Sequence, residues 1–204
     1  MELYCELLDE SNARLLCIER GLNGQFNLPG PILRELCFLQ LRMLCELVAL
    51  ACLAAHGDIG TAPVSRGLKK EWHPNKIMTA LETLHPKFYP VPFTQKARGP
   101  GHFHIREREQ TFSKEDLFAL HKKSGEVLHK GNVKKLLTAN TPIQINFPEV
   151  VGWAQKIAGL LTFHGIALFG GQRLVCYLKA TDSGGHAKVA LASPVAHPDP
   201  IPDA

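Results

Sequence analysis

Apolar residues recur at three- and four-residue steps over much of the chain, and that period predicts helices. Tyr4, Leu7, Leu8, Leu15 and Ile18 make one such face, which predicts a helix over residues 3–19 with Gly21 as its stop. A connector rich in Gly, Pro and Asn follows, "GLNGQFNLPGP". Pro31 then opens the dominant element, a helix expected over residues 31–56. Leu33, Leu36, Cys37, Leu41, Leu44, Leu47, Val48, Ala51 and Cys52 leave its C-terminal half apolar almost all round, as befits the centre of a core. Glu35, Arg42 and Glu46 share one stripe, with Arg42 one turn from Glu46. That stripe is either solvated or a buried ionic pair that tethers a neighbouring loop.

Two short helices are expected next, Ser65–Trp72 and one after Pro74 with Ile77, Leu81 and Leu84 as its inner face. Prolines make "HPKFYPVPFTQ" (85–95) extended, "KARGPGH" turns, and "FHIRERE" alternates like a strand. A helix from Ser113 to about Lys130 begins with a capping pair, Ser113 and Asp116, and turns Leu117, Leu120, Val127 and Leu128 inward. Gly131 ends it, and Val133–Leu137 adds a turn or two. Pro148 starts a further helix with Val151, Ala154, Ile157, Ala158 and Leu161 as its core face. "IALF", "QRLVCYLK" and "KVALAS" read as strands, joined by turns at "GG" (170–171) and "DSGG" (182–185). The economical fold is α+β: a helical bundle centred on residues 31–56, a β-hairpin insertion, and a small C-terminal antiparallel meander. The expected division is a helical domain over 1–140 with a basic insertion at about 58–110, a helix-plus-meander unit over 141–195, and a flexible tail over 196–204.

Composition narrows the class. The chain has 204 residues, 45% hydrophobic and 21% charged, an ordinary globular balance. The apolar run Met43–Ala55 contains Glu46 and is short for a bilayer span, and the acidic start "MELYCELLDE" is unlike a signal peptide. These features lead to the expectation of a cytoplasmic protein without membrane partners. Six cysteines with no C-x-x-C pairing fit reduced thiols in apolar settings.

Charge is unevenly placed. Residues 1–60 carry four Lys/Arg against eight Asp/Glu, residues 61–140 carry fifteen against seven, and residues 141–204 carry four of each. The middle third also holds six of the ten histidines. Such a block suits an anionic partner or, equally, a solvated surface. Its densest stretch is "HKKSGEVLHKGNVKKLL" (121–137). On a helix His121 and His129 stand about 12 Å apart along the axis, too far to share a metal. Lys122, Lys123, Lys130, Lys134 and Lys135 would make the helix end strongly positive, which the helix dipole alone can explain. His102 and His104 form an H-x-H pair with no third ligand in reach of the sequence, so neither a metal nor a cofactor is expected.

The core helix "LQLRMLCELVALACL" (39–53), followed by "FALHKKSGEVLHKGN" (118–132), resembles the HEPN superfamily of small helical-bundle proteins. The resemblance covers about residues 31–57 and 113–139. It implies RNA binding and, in catalytic members, metal-independent RNA cleavage by a homodimer that brings an Arg-then-His motif together. His129 takes the His place, Lys123 or Lys122 stands where Arg would be, and Asn132 is a nearby polar group. Lysine supplies charge without the planar fork that grips a phosphate. Cleavage by one histidine with lysines beside it would need a base near neutrality and a cation for the developing charge.

Two other readings compete. Residues 43–108 succeed one another like a winged helix-turn-helix, with Lys76 and Thr79 on the reading helix and Lys96, Arg98 and Arg106 on a wing facing DNA phosphates. Alternatively the chain is an interaction subunit whose basic face only keeps it soluble. RNA is favoured over DNA as partner.

Overall fold

The structure is a computed structural model that describes residues 1–56, 68, 70–99, 102–129, 146–168, 171–180 and 184–193, without the side chains of 98, 99, 102 and 103. In chain order it contains α1 (Glu2–Leu22), α2 (Gly30–Ala55), α3 (Pro74–Leu84), β1 (Val91–Gly99), β2 (His102–Glu107), α4 (Lys114–Leu128), α5 (Phe147–Leu161), β3 (Phe163–Ala167), β4 (Arg173–Tyr177) and β5 (Lys188–Ala192). The fold is α+β, a helical bundle with an antiparallel sheet.

Helix α2 is the axis of the bundle. It begins at a proline-bearing first turn, and α1, α3, α4 and α5 all pack on it. Phe38, Leu41, Leu44, Cys45, Ala49 and Cys52 are fully buried there. Its apolar window is longer than the run Met43–Ala55 suggests: eighteen residues average a hydropathy of 2.0, enough to cross a membrane by length and composition. Of that window 56% is buried inside this fold, as a core helix requires.

Helix α1 lies along α2 through Tyr4, Leu8, Ser11, Ile18 and Gly21. Gly21 does not stop the helix, as its type suggested. It sits inside the last turn because a Cβ there would stand 2.8 Å from Leu33 Cδ1 of α2, so the glycine permits a close approach. Helix α4 starts with the expected box: Ser113 Oγ accepts from the Asp116 N–H at 3.1 Å, and Asp116 Oδ2 accepts from the Ser113 N–H at 3.2 Å. Helix α5 is rotated from the expected face. Val150, Ile157, Leu160 and Leu161 are buried, whereas Val151 is 36% exposed.

The strands form one five-stranded sheet in the order β2-β1-β3-β4-β5, antiparallel throughout. The hairpin β1–β2 therefore does not stand apart from the meander: Val91 and Pro92 pair with Gly165 and His164. Lys96–Gly99, expected to turn, continue β1. Ile166, Leu174 and Cys176 enter the core, and the alternate positions Phe163 and Tyr177 stack on the other face at 4.4 Å, with Phe93 edge-on to Phe163. Buried residues on both sides of residue 140 belong to a single cluster.

All six cysteines are free, with Cys37, Cys45, Cys52 and Cys176 buried and Cys5 and Cys17 half-buried. Burial pushes the Cys37 thiol up to about 11 and Cys176 to about 12, so both stay protonated and unreactive near neutrality.

Two polar contacts cross this core. Tyr4 Oη lies 2.7 Å from His164 Nε2, and His164 Nδ1 lies 3.0 Å from the Leu161 carbonyl. The carbonyl can only accept, so Nδ1 carries the proton and Nε2 accepts from the tyrosine. His56 lies between the Cys52 carbonyl at 2.8 Å and the Ala167 carbonyl at 3.1 Å, where the end of α2 meets β3, and its neutral ring donates to one of the two.

Candidate functional site

The most polar interior region lies where α2, α4 and the start of α3 meet. Arg42 and Glu46 sit one turn apart on α2, in its otherwise apolar half. Their side chains are 26% and 18% exposed, and Arg42 Nε is 3.3 Å from Glu46 Oε1. The pair is half-buried, and it tethers a helix rather than a loop: the same Oε1 is 3.5 Å from Nε2 of His121 on α4.

His121 is 5% exposed. It follows Leu117 by one turn and Leu120 by one residue, so the α4 stripe that enters the core carries it inward with Ser124. Burial first, and then the Arg42 guanidinium, push its pKa below the ordinary histidine range, while Glu46 pulls it upward. The imidazole is thus neutral at pH 7, and it has room to take up a proton beside a carboxylate.

His73 precedes α3 and meets His121 edge-on, ring centroids 5.3 Å apart. Its position is fixed from the backbone. Glu71 Oε1 accepts from the N–H groups of both Trp72 and His73, at 3.1 and 2.9 Å, and Lys76 holds the other carboxylate oxygen at 3.3 Å. Arg42, His73, Asn75, Phe118, Ala119, His121 and Lys122 line a cavity of about 510 Å³. Three of these residues bring a buried polar atom with no hydrogen-bond partner: His73 Nδ1, Asn75 Oδ1 and His121 Nε2. For His121 the carboxylate contact at 3.5 Å is too long to count as a hydrogen bond. Ser124 Oγ, one turn along α4, is likewise unpaired. Unpaired buried polar atoms cost free energy, about 1–3 kcal/mol each, and their occurrence on residues around one cavity marks it as the candidate polar site.

Glycine 125 belongs to the same arrangement. Arg42 Nη1 lies 3.0 Å from where its Cβ would be, so the guanidinium rests against the bare backbone of α4.

The residues singled out from sequence are distributed differently. His129 is the exposed residue that ends α4, its N–H donating to the Gly125 carbonyl at 3.0 Å. It therefore stands at the helix end, away from the buried stripe that carries His121. Lys123 is ion-paired with Glu149 at the start of α5. Lys122 is exposed and reaches the cavity rim. Arg106 is exposed on β2, its Nε 3.3 Å from His104 Nδ1. Lys130, Asn132, Lys134, Lys135 and the side chain of Arg98 lie outside the described residues, as do half of Ser65–Trp72 and the tail. Other basic groups of the middle third are paired, Lys76 with Glu71 and Lys114 with Glu82 at 2.6 Å.

Arg42 and His121, from two different helices, thus share one carboxylate and one cavity. Two signals in the sequence accompany this arrangement. A charged pair interrupts an apolar helix, and His121 falls at the helical spacing of Leu117 and Ser124.

Among the described residues no group of three His, Cys, Asp or Glu side chains converges to hold a metal ion. Comparison with protein-family models gave no match, and neither the curated proteins nor the solved structures contained a similar chain.

Proposed function

We propose that this chain is an HEPN-like RNA-binding protein that takes a phosphodiester at the Arg42–His121 cavity. The observation that carries the reading is one cavity lined by a guanidinium, an ammonium, two imidazoles and an amide. Arg42 offers the planar donor fork that a lysine lacks. Arg42 and Lys122 outweigh the single charge of Glu46, so the cavity suits an anion. His121, His73 and Asn75 add two imidazoles and an amide to the same lining.

RNA is favoured over DNA by the neutral His121 imidazole. A base in that place has a 2′-hydroxyl proton to take in RNA and none in DNA. Cleavage would follow if His121 accepted that proton while Arg42 stabilised the charge on the phosphorus oxygens. The contact is assigned to Arg42 and His121 in preference to Lys123 and His129, because Lys123 is neutralised by Glu149 and His129 faces solvent. The homodimer that the HEPN resemblance implies belongs to the same proposal. A solution mass of one copy at binding concentrations would remove it.

The winged-helix reading of residues 43–108 draws less support. Lys76 on its reading helix is paired with Glu71, and Glu82 on the same helix adds negative charge held by Lys114.

The test is binding of a labelled single-stranded RNA across a salt series. His121→Gln and Lys122→Glu should each weaken it about tenfold or more, and affinity should fall steeply with salt. Unchanged affinity in both variants would sink the proposal. Duplex DNA binding that is lost on changing Arg106 would favour the winged helix instead.

A further inference from the structure

Beside His73, which lines the cavity, stands one feature that a phosphate site alone does not need. Trp72 is 63% exposed, although tryptophan is among the most buried residue types on average. It is held in place: its N–H donates to Glu71 Oε1, and its ring lies 5.8 Å from that of His73, tilted by 54°. His73 in turn meets His121. Three aromatic rings therefore run in sequence from solvent into the cavity, and the outermost is a large flat surface left uncovered.

We infer that Trp72 is the stacking shelf for a nucleobase whose own phosphate enters the cavity, so that the ligand is an unpaired nucleotide within single-stranded RNA. This rests on the reading of the cavity as a phosphodiester site. The chemistry is direct. Every base has a π-face that an indole can cover, and such stacks bind without regard to sequence. A base inside a duplex is already stacked on both sides and offers no free face. One carboxylate holds the backbone of residues 72 and 73, which lowers the ordering cost of placing an indole there. Charge agrees, because Lys122 lies at the rim to meet the flanking backbone.

Three probes separate the contributions: a labelled oligouridine, the same chain with abasic ribose units, and ribose 5-phosphate. Trp72→Ala should weaken oligouridine roughly tenfold or more, the loss of one base–aromatic stack, and leave ribose 5-phosphate and the abasic chain unchanged. Trp72→Phe should keep most of the affinity. The exposed position makes failure to fold an unlikely confounder, and a far-UV spectrum checks it. The chain has two tryptophans, and Trp153 packs edge-on to Phe112 under Lys156. In a Trp153→Phe background the remaining indole emission should be quenched by oligouridine and not by ribose 5-phosphate.

If Trp72→Ala binds oligouridine like the parent while His121→Gln does not, the shelf is wrong and the cavity reading stands. The exposed indole would then be a protein contact. If Trp72→Ala weakens ribose 5-phosphate equally, Trp72 acts by positioning His73 and the stacking role is overturned. If neither Trp72→Ala nor His121→Gln alters binding, the phosphodiester reading falls and the shelf with it.

Discussion

The guanidinium of Arg42 occupies the space that a side chain on Gly125 would need. Nη1 stands 3.0 Å from the position of a Cβ on the neighbouring helix. Together with the Glu46–His121 contact it joins α2 to α4 at the cavity.

Gly125→Ala therefore sets two effects against each other. Alanine favours the helix by up to about 1 kcal/mol, yet it pushes on Arg42. The expected outcome is a protein of equal or greater stability whose affinity for single-stranded RNA falls about tenfold. Denaturant unfolding and fluorescence anisotropy read the two effects separately. Retained affinity would show that Arg42 need not lie where it does.

Glu46 raises the proton affinity of His121 against the opposing effects of burial and Arg42. Glu46→Gln should move the His121 midpoint further down, measured by following its ring protons in an NMR pH titration. An upward move would mean that the carboxylate contact at 3.5 Å does not govern this imidazole.

Buried His164 should make the fold acid-sensitive. Burial lowers its pKa to about 4 from an ordinary value of 6.5. The unfolded chain therefore takes up the proton first as pH falls. Stability is intact above about pH 6.5 and declines through the window down to pH 4. Linkage puts the loss at about 3 kcal/mol. Urea unfolding at pH 7 and pH 4.5 should show this decline in the parent, and His164→Gln should flatten most of it. An equal decline in the variant would assign the acid sensitivity to other groups.

The capping box gives a control away from the cavity. Ser113→Ala removes the acceptor for the Asp116 N–H and should cost about 1 kcal/mol, read as a lowered unfolding midpoint with RNA affinity unchanged. A stability loss near zero would mean that water serves the helix end as well as the serine does.

Local signals in the chain were legible wherever one element decided its own state. The Ser113–Asp116 pair and the proline-led start of α2 both follow from short-range chemistry, and the structure has them. What could not be read is which distant segments meet. Nothing between Val91 and Gly165 announces that they pair, because a strand's pattern fixes its faces and not its neighbour. The Arg42–His121 cavity is hidden for a related reason: charge is plain in the lysine-rich stretch 121–137, whereas Arg42 and His121 come together only once two helices touch. The exposure of Val151 is likewise a matter of helix rotation, which Val150 and Ile157 settle through packing.

One further consequence follows from the hydrogen bond between Tyr4 and His164. A hydroxyl in the first turn of the protein finds its acceptor only after some 160 more residues have been made. Until then α1 has no interior place for that polar group, and the nascent amino-terminal helix must wait, exposed or guarded, for the third strand to emerge. Synthesis halted before His164 should therefore release a chain that proteases degrade, however complete its leading helices are.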